Sequence, residues 1–109
     1  MRTLKFNVTA QRIEKDPACD FKGIVAGSEG YLRAAFKVDD AWKGCVVAAG
    51  FTVDGQEYGA AVRDGACEIP PQALKGHVFG VLLKGRRPGY KIETNTVYVR
   101  QEVKNYGNG

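Results

Sequence analysis

Leu4, Phe6, Val8 and Ala10 alternate with Lys5, Asn7 and Thr9 at the start of the chain. A two-residue period of this kind places the apolar side chains on one face of a half-buried strand. Ile13 falls out of phase, which predicts a bulge or a sheet switch near Gln11 and Arg12. Pro17 and its polar neighbours read as a loop, Phe21 to Val25 as a second short strand, and Gly27-Ser28-Glu29-Gly30 as a turn. The cleanest alternation follows. Leu32, Ala34, Phe36 and Val38 stand against Arg33, Ala35, Lys37 and Asp39, and Asp39-Asp40 ends the strand in water. Cys45, Val47, Ala49, Phe51 and Val53 form the next inward set. The residues between them, Val46, Ala48, Gly50 and Thr52, are nearly as apolar, which predicts a central strand covered on both faces.

Asp54-Gly55 separates this strand from a return strand that carries Tyr58, Ala60 and Val62 inward. Both turn residues tolerate positive φ, as a two-residue hairpin requires. Asp64-Gly65 makes the next turn, and Cys67 to Ile69 a short extended piece. One short helical turn is expected near residues 70–75. Proline opens it, lysine lies in its last turn, glycine ends it, and Leu74 plugs one end of the core. Val78 to Leu83 is a strongly apolar strand. Gly85 to Tyr90 reads as a connection around a Pro88-Gly89 turn, and Lys91 to Val103 as a last strand whose apolar face switches near Asn95. About seven to eight short strands with turns at regular spacing predict an all-β fold, a single Ig-like β-sandwich, with a small barrel as the alternative closure. The domain is expected to span 1–104, and 105–109 to form a flexible tail.

Composition fits one domain. The chain has 109 residues, 44% apolar and 26% charged, and its fourteen glycines are dispersed at turns. The amino terminus alternates and lacks the apolar core of a secretory signal. No apolar run approaches the ~20 residues of a membrane span, so no membrane partner is expected. Cys19, Cys45 and Cys67 are widely spaced, and the single histidine, His77, completes no ligand set. Zinc sites need close pairs that aim two thiolates at one metal. Reduced thiols packed as small apolar side chains are the expectation, with no metal and no cofactor.

No catalytic constellation stands out. Cys with His77 is the sole nucleophile–base pair available, and the cysteines lie in or beside apolar patterns rather than in electropositive openings. Asp39 and Asp40 are adjacent and point opposite ways, so they cannot face each other across a cleft. Net charge is +4, and Ile69 to Ile92 holds no acidic residue while carrying Lys75, Lys84, Arg86, Arg87 and Lys91. A basic loop at 84–91 can meet an acidic protein patch, nucleic acid or an anionic polymer. It can equally be a solvated turn that keeps a β-domain soluble. Lys84, Arg86, Arg87, Tyr90 and Lys91 are therefore the candidate partner-binding residues. Trp42 could stack on a sugar ring, but large aromatics in sandwiches more often pack over an end of the core. Tyr31, Tyr90 and Tyr98, with Arg33, Arg86 and Arg87, could line a surface for single-stranded nucleic acid. An oligonucleotide-binding barrel would show a denser set, and this is the less favoured reading.

From Phe36 through Asn95 a specific series recurs. It contains Phe36, Asp39-Asp40, Trp42, Gly44, Ala49, Phe51, Gly65-Ala66-Cys67-Glu68-Ile69-Pro70, Leu74, Val81, Gly85 and Thr94. This series resembles a small Ig-like β-sandwich domain found in tail and baseplate-type proteins of phages from Gram-positive hosts. Pro71 departs from it, and so does the single-domain length, because many relatives carry this domain ahead of longer fibre or baseplate modules. The resemblance implies a non-enzymatic virion structural or accessory protein acting through protein–protein contacts in a tail, baseplate or head-decoration assembly. Its partners would be other phage structural proteins or further copies of itself. It would be made in the host cytoplasm and carried in the particle. The resemblance also implies that Cys67 and Ile69 lie in the core and that Trp42 packs across two sheets. With Phe51 and Leu74 these are the expected core-structural residues. Two rival functions are a phage-encoded inhibitor of a host or defence protein and a carbohydrate-binding module.

Overall fold

In the computed structural model, which describes residues 1–104, the first alternation becomes strand β1 (Arg2–Thr9), with Leu4, Phe6 and Val8 buried. A two-residue turn at Ala10-Gln11 leads into β2 (Arg12–Lys15), and Val8 pairs with Ile13. The expected bulge or sheet switch is therefore a tight hairpin. Ala10 supplies the reversal at φ +49°, and Ile13 then faces inward beside Val8. The tail expected at 105–109 lies outside the described residues.

Strand β3 (Leu32–Val38) runs parallel to β1, with Leu4 opposite Ala34 and Phe6 opposite Phe36. The two phenyl rings stack at 5.6 Å between centroids. A parallel pair needs a crossover of a dozen or more residues, and residues 16–31 provide it without the strand expected at Phe21–Val25. The backbone there is committed elsewhere. The Arg2 guanidinium donates to the carbonyls of Asp20 (3.0 Å), Lys22 (2.6 Å) and Gly23 (3.4 Å). Only Val25 makes a bridge, to Glu102. Phe21 meets Phe6 edge-on at 5.5 Å, and Ile24 is buried.

The chain then builds a second sheet from β4 (Val46–Val53), β5 (Gln56–Ala61), β7 (Val78–Arg87), β8 (Tyr90–Glu93) and β9 (Val97–Arg100). Strand β6 (Ala66–Glu68) crosses back to pair with β3. The result is a two-layer all-β sandwich with sheet orders β2-β1-β3-β6 and β5-β4-β7-β8, β9 sharing the β7 edge with β8. The order of this sandwich and its parallel β1–β3 pair differ from the ABED and CFG sheets of an immunoglobulin constant domain. The Asp54-Gly55 and Asp64-Gly65 turns form as expected, each with both residues at positive φ.

Phe6, Leu4, Leu32 and Ala34 from one sheet meet Phe51, Phe79, Val81, Leu83 and Val99 from the other. A 3₁₀ turn at Pro71–Leu74 buries Ala73 and Leu74 at one end of the core. The Gln101 side-chain amide holds this turn by donating to the Gly76 (2.9 Å) and Ala73 (3.3 Å) carbonyls. A second 3₁₀ turn, Asp40–Trp42, closes the other end. Strand β4 is not covered on both faces. Phe51 and Ala49 point into the core, whereas Val46 on the outer face is 81% exposed.

The expected face switch near Asn95 is a break between β8 and β9. Thr94 keeps the ladder closed, because its Oγ1 accepts from the Leu83 N–H at 2.9 Å. Asn95 reaches across to the first sheet. Its Oδ1 accepts from the Ile13 N–H at 2.8 Å, and its Nδ2 donates to the Ile13 carbonyl at 3.3 Å. The side-chain amide thus stands in for a neighbouring strand at the β2 edge. Asn95→Ala leaves both Ile13 backbone groups without these partners. It should cost about 2 kcal/mol, read as a lower urea midpoint with an unchanged slope. An unchanged midpoint would show that water replaces the amide.

A basic and apolar face on the β7–β8 hairpin

Strand β7 runs on to Arg87, so the expected loop at 84–91 shrinks to Pro88-Gly89, with Gly89 at φ +71°. Lys84 to Arg87 are ladder residues instead. Their partners are Glu93 to Tyr90 on one side and Ala48 to Val46 on the other. Alternation along the strands then divides the five candidate contact residues between two faces.

Arg87 and Tyr90 belong to the inner face. The Arg87 guanidinium lies 3.7 Å over the Tyr90 ring and donates to the Lys43 carbonyl, and the Tyr90 hydroxyl donates to the Ala41 carbonyl at 2.6 Å. Both residues fasten the hairpin to the 3₁₀ turn that carries Trp42. Gly85 is the next inner-face position along β7, opposite Ile92. A Cβ there would stand 2.8 Å from the Trp42 ring, so the indole rests directly on the β7 backbone. Trp42 is 2% exposed, and its Nε1 donates to the Ala10 carbonyl at 2.8 Å. It packs at the end of the core and offers no ring to a sugar. Phe51, Cys67, Ile69 and Leu74 are buried with it.

Lys84, Arg86 and Lys91 belong to the outer face, where they line an open groove of about 1210 Å³ together with Val46, Ala48 and Glu93, and the hairpin tip with Arg87 and Tyr90 borders the same groove. Two cross-strand rows make up its centre. One holds Val46, Arg86 and Lys91, and the next holds Ala48, Lys84 and Glu93. Lys84 is neutralised by Glu57 at 2.8 Å, and this hydrogen bond holds its ammonium above the ordinary lysine range. The Glu57 carboxylate reaches Lys84 across Gly50, where a Cβ would stand 2.8 Å from Oε2. Arg86 and Lys91 have no ion-pair partner among the described residues. They are like charges directly opposed across two strands, an arrangement that destabilises a hairpin.

The three tyrosines do not form one surface. Tyr31 precedes β3 in the first sheet, Tyr98 lies on β9 in the second, and Tyr90 is held by Ala41. Of the cysteines, Cys67 is buried, while Cys19 and Cys45 are half-buried, Cys45 packing against the edge of the core. Burial pushes the Cys67 thiol up to about 11. No group of three or more metal-ligating side chains comes together among the described residues, and no described helix is long and apolar enough to cross a membrane.

Two residues that organise the site escaped the sequence reading. Asp39 does more than end a strand. Its Oδ1 accepts from Ala41 N–H at 3.2 Å and its Oδ2 from Ala10 N–H at 3.0 Å, so it caps the 3₁₀ turn and clamps the β1–β2 turn. An aspartate three residues before a tryptophan carries a local capping signal, but its reach to Ala10 has none. Val46 was hidden in an apolar run. No protein-family model and no curated protein sequence matches the chain.

Lys91→Glu replaces the opposed cations with a cross-strand ion pair. It should raise stability by about 0.5 kcal/mol in low salt, measured by urea unfolding, and the gain should shrink as salt rises. Loss of stability would mean that Arg86 and Lys91 are not in conflict. For Cys67, the folded thiol titrates above the unfolded one. Stability should therefore fall as pH rises through the unfolded thiol pKa near 9 toward about 11. Cys67→Ser should flatten that part of the pH profile, and an unchanged slope would assign the fall to other groups.

Proposed function

We propose that this protein is a non-enzymatic β-sandwich module that works by protein–protein contact, as a structural or accessory component of a phage particle. The observation that carries the contact role is the outer face of the β7–β8 hairpin. Arg86 and Lys91 stand there unneutralised beside exposed Val46, on a hairpin fastened from behind by Arg87 and Tyr90. Opposed like charges cost stability in the free protein, and a rigid platform limits the entropy lost on docking. Both features suit a surface kept for a partner.

The particle setting rests on the resemblance to the phage tail and baseplate-type domain. Its support is that several residues carrying the resemblance hold the fold together. Trp42 sits on Gly85 and bonds to the β1–β2 turn, Asp39 clamps the same turn, and Thr94 closes the β7 ladder. Trp42 and Asp39 tie the two sheets at one end of the core, and Thr94 completes the ladder of one sheet, so these residues have structural tasks. The contact face itself lies mostly outside that series, as expected where a shared scaffold serves different partners.

Particles purified on a density gradient from an induced culture of the producing host should contain this chain in fixed ratio to a tail, baseplate or capsid protein. The immobilised chain should retain that same protein from lysate. Absence from particles, with retention of one host protein instead, would replace this reading with the inhibitor.

A further inference from the structure

We propose that the groove on the outer face of β4, β7 and β8 takes an extended acidic segment of a partner protein, with a carboxylate bridging Arg86 and Lys91 and an apolar side chain against Val46. This deepens the contact reading and rests on it.

Charge supplies the first argument. The groove holds three cations on its outer rows, and its carboxylates are already placed. Glu57 is bonded to Lys84, and Glu93 stands opposite Lys84 in the register. The row of Arg86 and Lys91 is left with two cations and no acid. A carboxylate entering between them gains two charge-assisted contacts and removes their mutual repulsion. Lys84, already paired, gains little from a second acid. The acidic centre of the ligand is therefore placed at the first row, toward the tip of the hairpin.

Shape supplies the second. Val46 is directly opposite Arg86 in the ladder, and at 81% exposure it is the most exposed valine among the described residues. It lies on the β4 side of the cation row, so the ligand meets an apolar wall on one flank and cations on the other. The two rows are two residues apart along the strands, about 7 Å. Successive same-face side chains of an extended segment have that same spacing. A segment laid along the β4–β7 seam can place a carboxylate at the Arg86 row and a small or polar side chain at the Ala48–Lys84 row. There a bulky acid would be opposed by Glu93.

The same features disfavour nucleic acid. Single-stranded chains bind where aromatic rings offer stacking faces beside cations. The ring at this hairpin, Tyr90, is covered by Arg87 and anchored through its hydroxyl to Ala41. Glu93 interrupts the positive surface one row away, and Val46 has no use in a phosphate contact.

The probe is a fluorescein-labelled octapeptide of two Val-Ser-Glu-Ser repeats, whose same-face positions alternate valine and glutamate when extended, titrated by anisotropy at low salt, with a labelled twelve-residue oligothymidylate as competitor class. The peptide should bind the wild-type protein. Lys91→Glu and Val46→Asp should each weaken it tenfold or more, Arg12→Glu on the far sheet should leave it within twofold, and the oligonucleotide should bind more weakly than the peptide. Because Lys91→Glu is expected to stabilise the fold, its loss of binding cannot be assigned to unfolding. Failure of the peptide to bind, equal binding by Lys91→Glu, or tighter binding of the oligonucleotide would each overturn the inference. Retention of a particle protein separates this from the broader reading. If both wild type and Lys91→Glu retain it, the contact role stands and the groove is the wrong surface. If wild type retains none, the contact reading itself falls.

Discussion

The seat of Trp42 is the constraint on which the rest of the sandwich depends. Its ring rests on β7 where Gly85 leaves room, and its indole N–H holds the β1–β2 turn through the Ala10 carbonyl. One side chain therefore touches both sheets at one end of the core. A single hydrogen bond of this kind contributes about 1 kcal/mol, less than the burial of a large aromatic ring. Ring burial thus supplies most of the hold and the bond sets the angle. Asp39 makes the arrangement specific by accepting from Ala10 N–H, so both polar groups of one strained residue are held from the same short turn.

The orientation of the basic outer face follows from this seat. Arg87 and Tyr90 tie the hairpin tip to the turn that carries Trp42, which spends two of the five candidate residues on rigidity. Because side chains alternate, fixing those two fixes where Arg86 and Lys91 point. The repulsion between the two cations cannot be relieved by splaying the hairpin, because the tip is fastened. The fastening residues and the unpaired cations are thus set on opposite faces of the same four-residue ladder.

A second joint stands on the far edge of the same strand. Strand β7 is long enough to pair with β8 and β9 in succession, and Thr94 and Asn95 occupy the gap. Threonine fills the missing ladder position with its hydroxyl, and asparagine presents an amide to Ile13 as a backbone would. The face switch between Ile92 and Val97 is therefore turned into a link between sheets rather than left as a defect.

Much of this fold was legible in the alternation of apolar and polar residues, because side-chain period is a local property of strands. The strands at Leu4–Val8, Leu32–Val38 and Val78–Leu83, the Asp-Gly turns and the turn ending in Leu74 needed no distant information. Local pattern could not reveal that β1 and β3 run parallel, since pairing joins residues far apart in the chain. It mistook the Ala10 hairpin for a bulge, because alanine at positive φ is tolerated only when distant groups hold it. It expected a strand at Phe21–Val25, where Arg2 in fact takes the Lys22 and Gly23 carbonyls. At the site, the residue types were readable and their division was not. Sequence gathered Lys84, Arg86, Arg87, Tyr90 and Lys91 into one basic stretch. Only the β4–β7–β8 register decided which of them face Trp42 and which face solvent, because a side chain's face is fixed by its neighbours across the ladder.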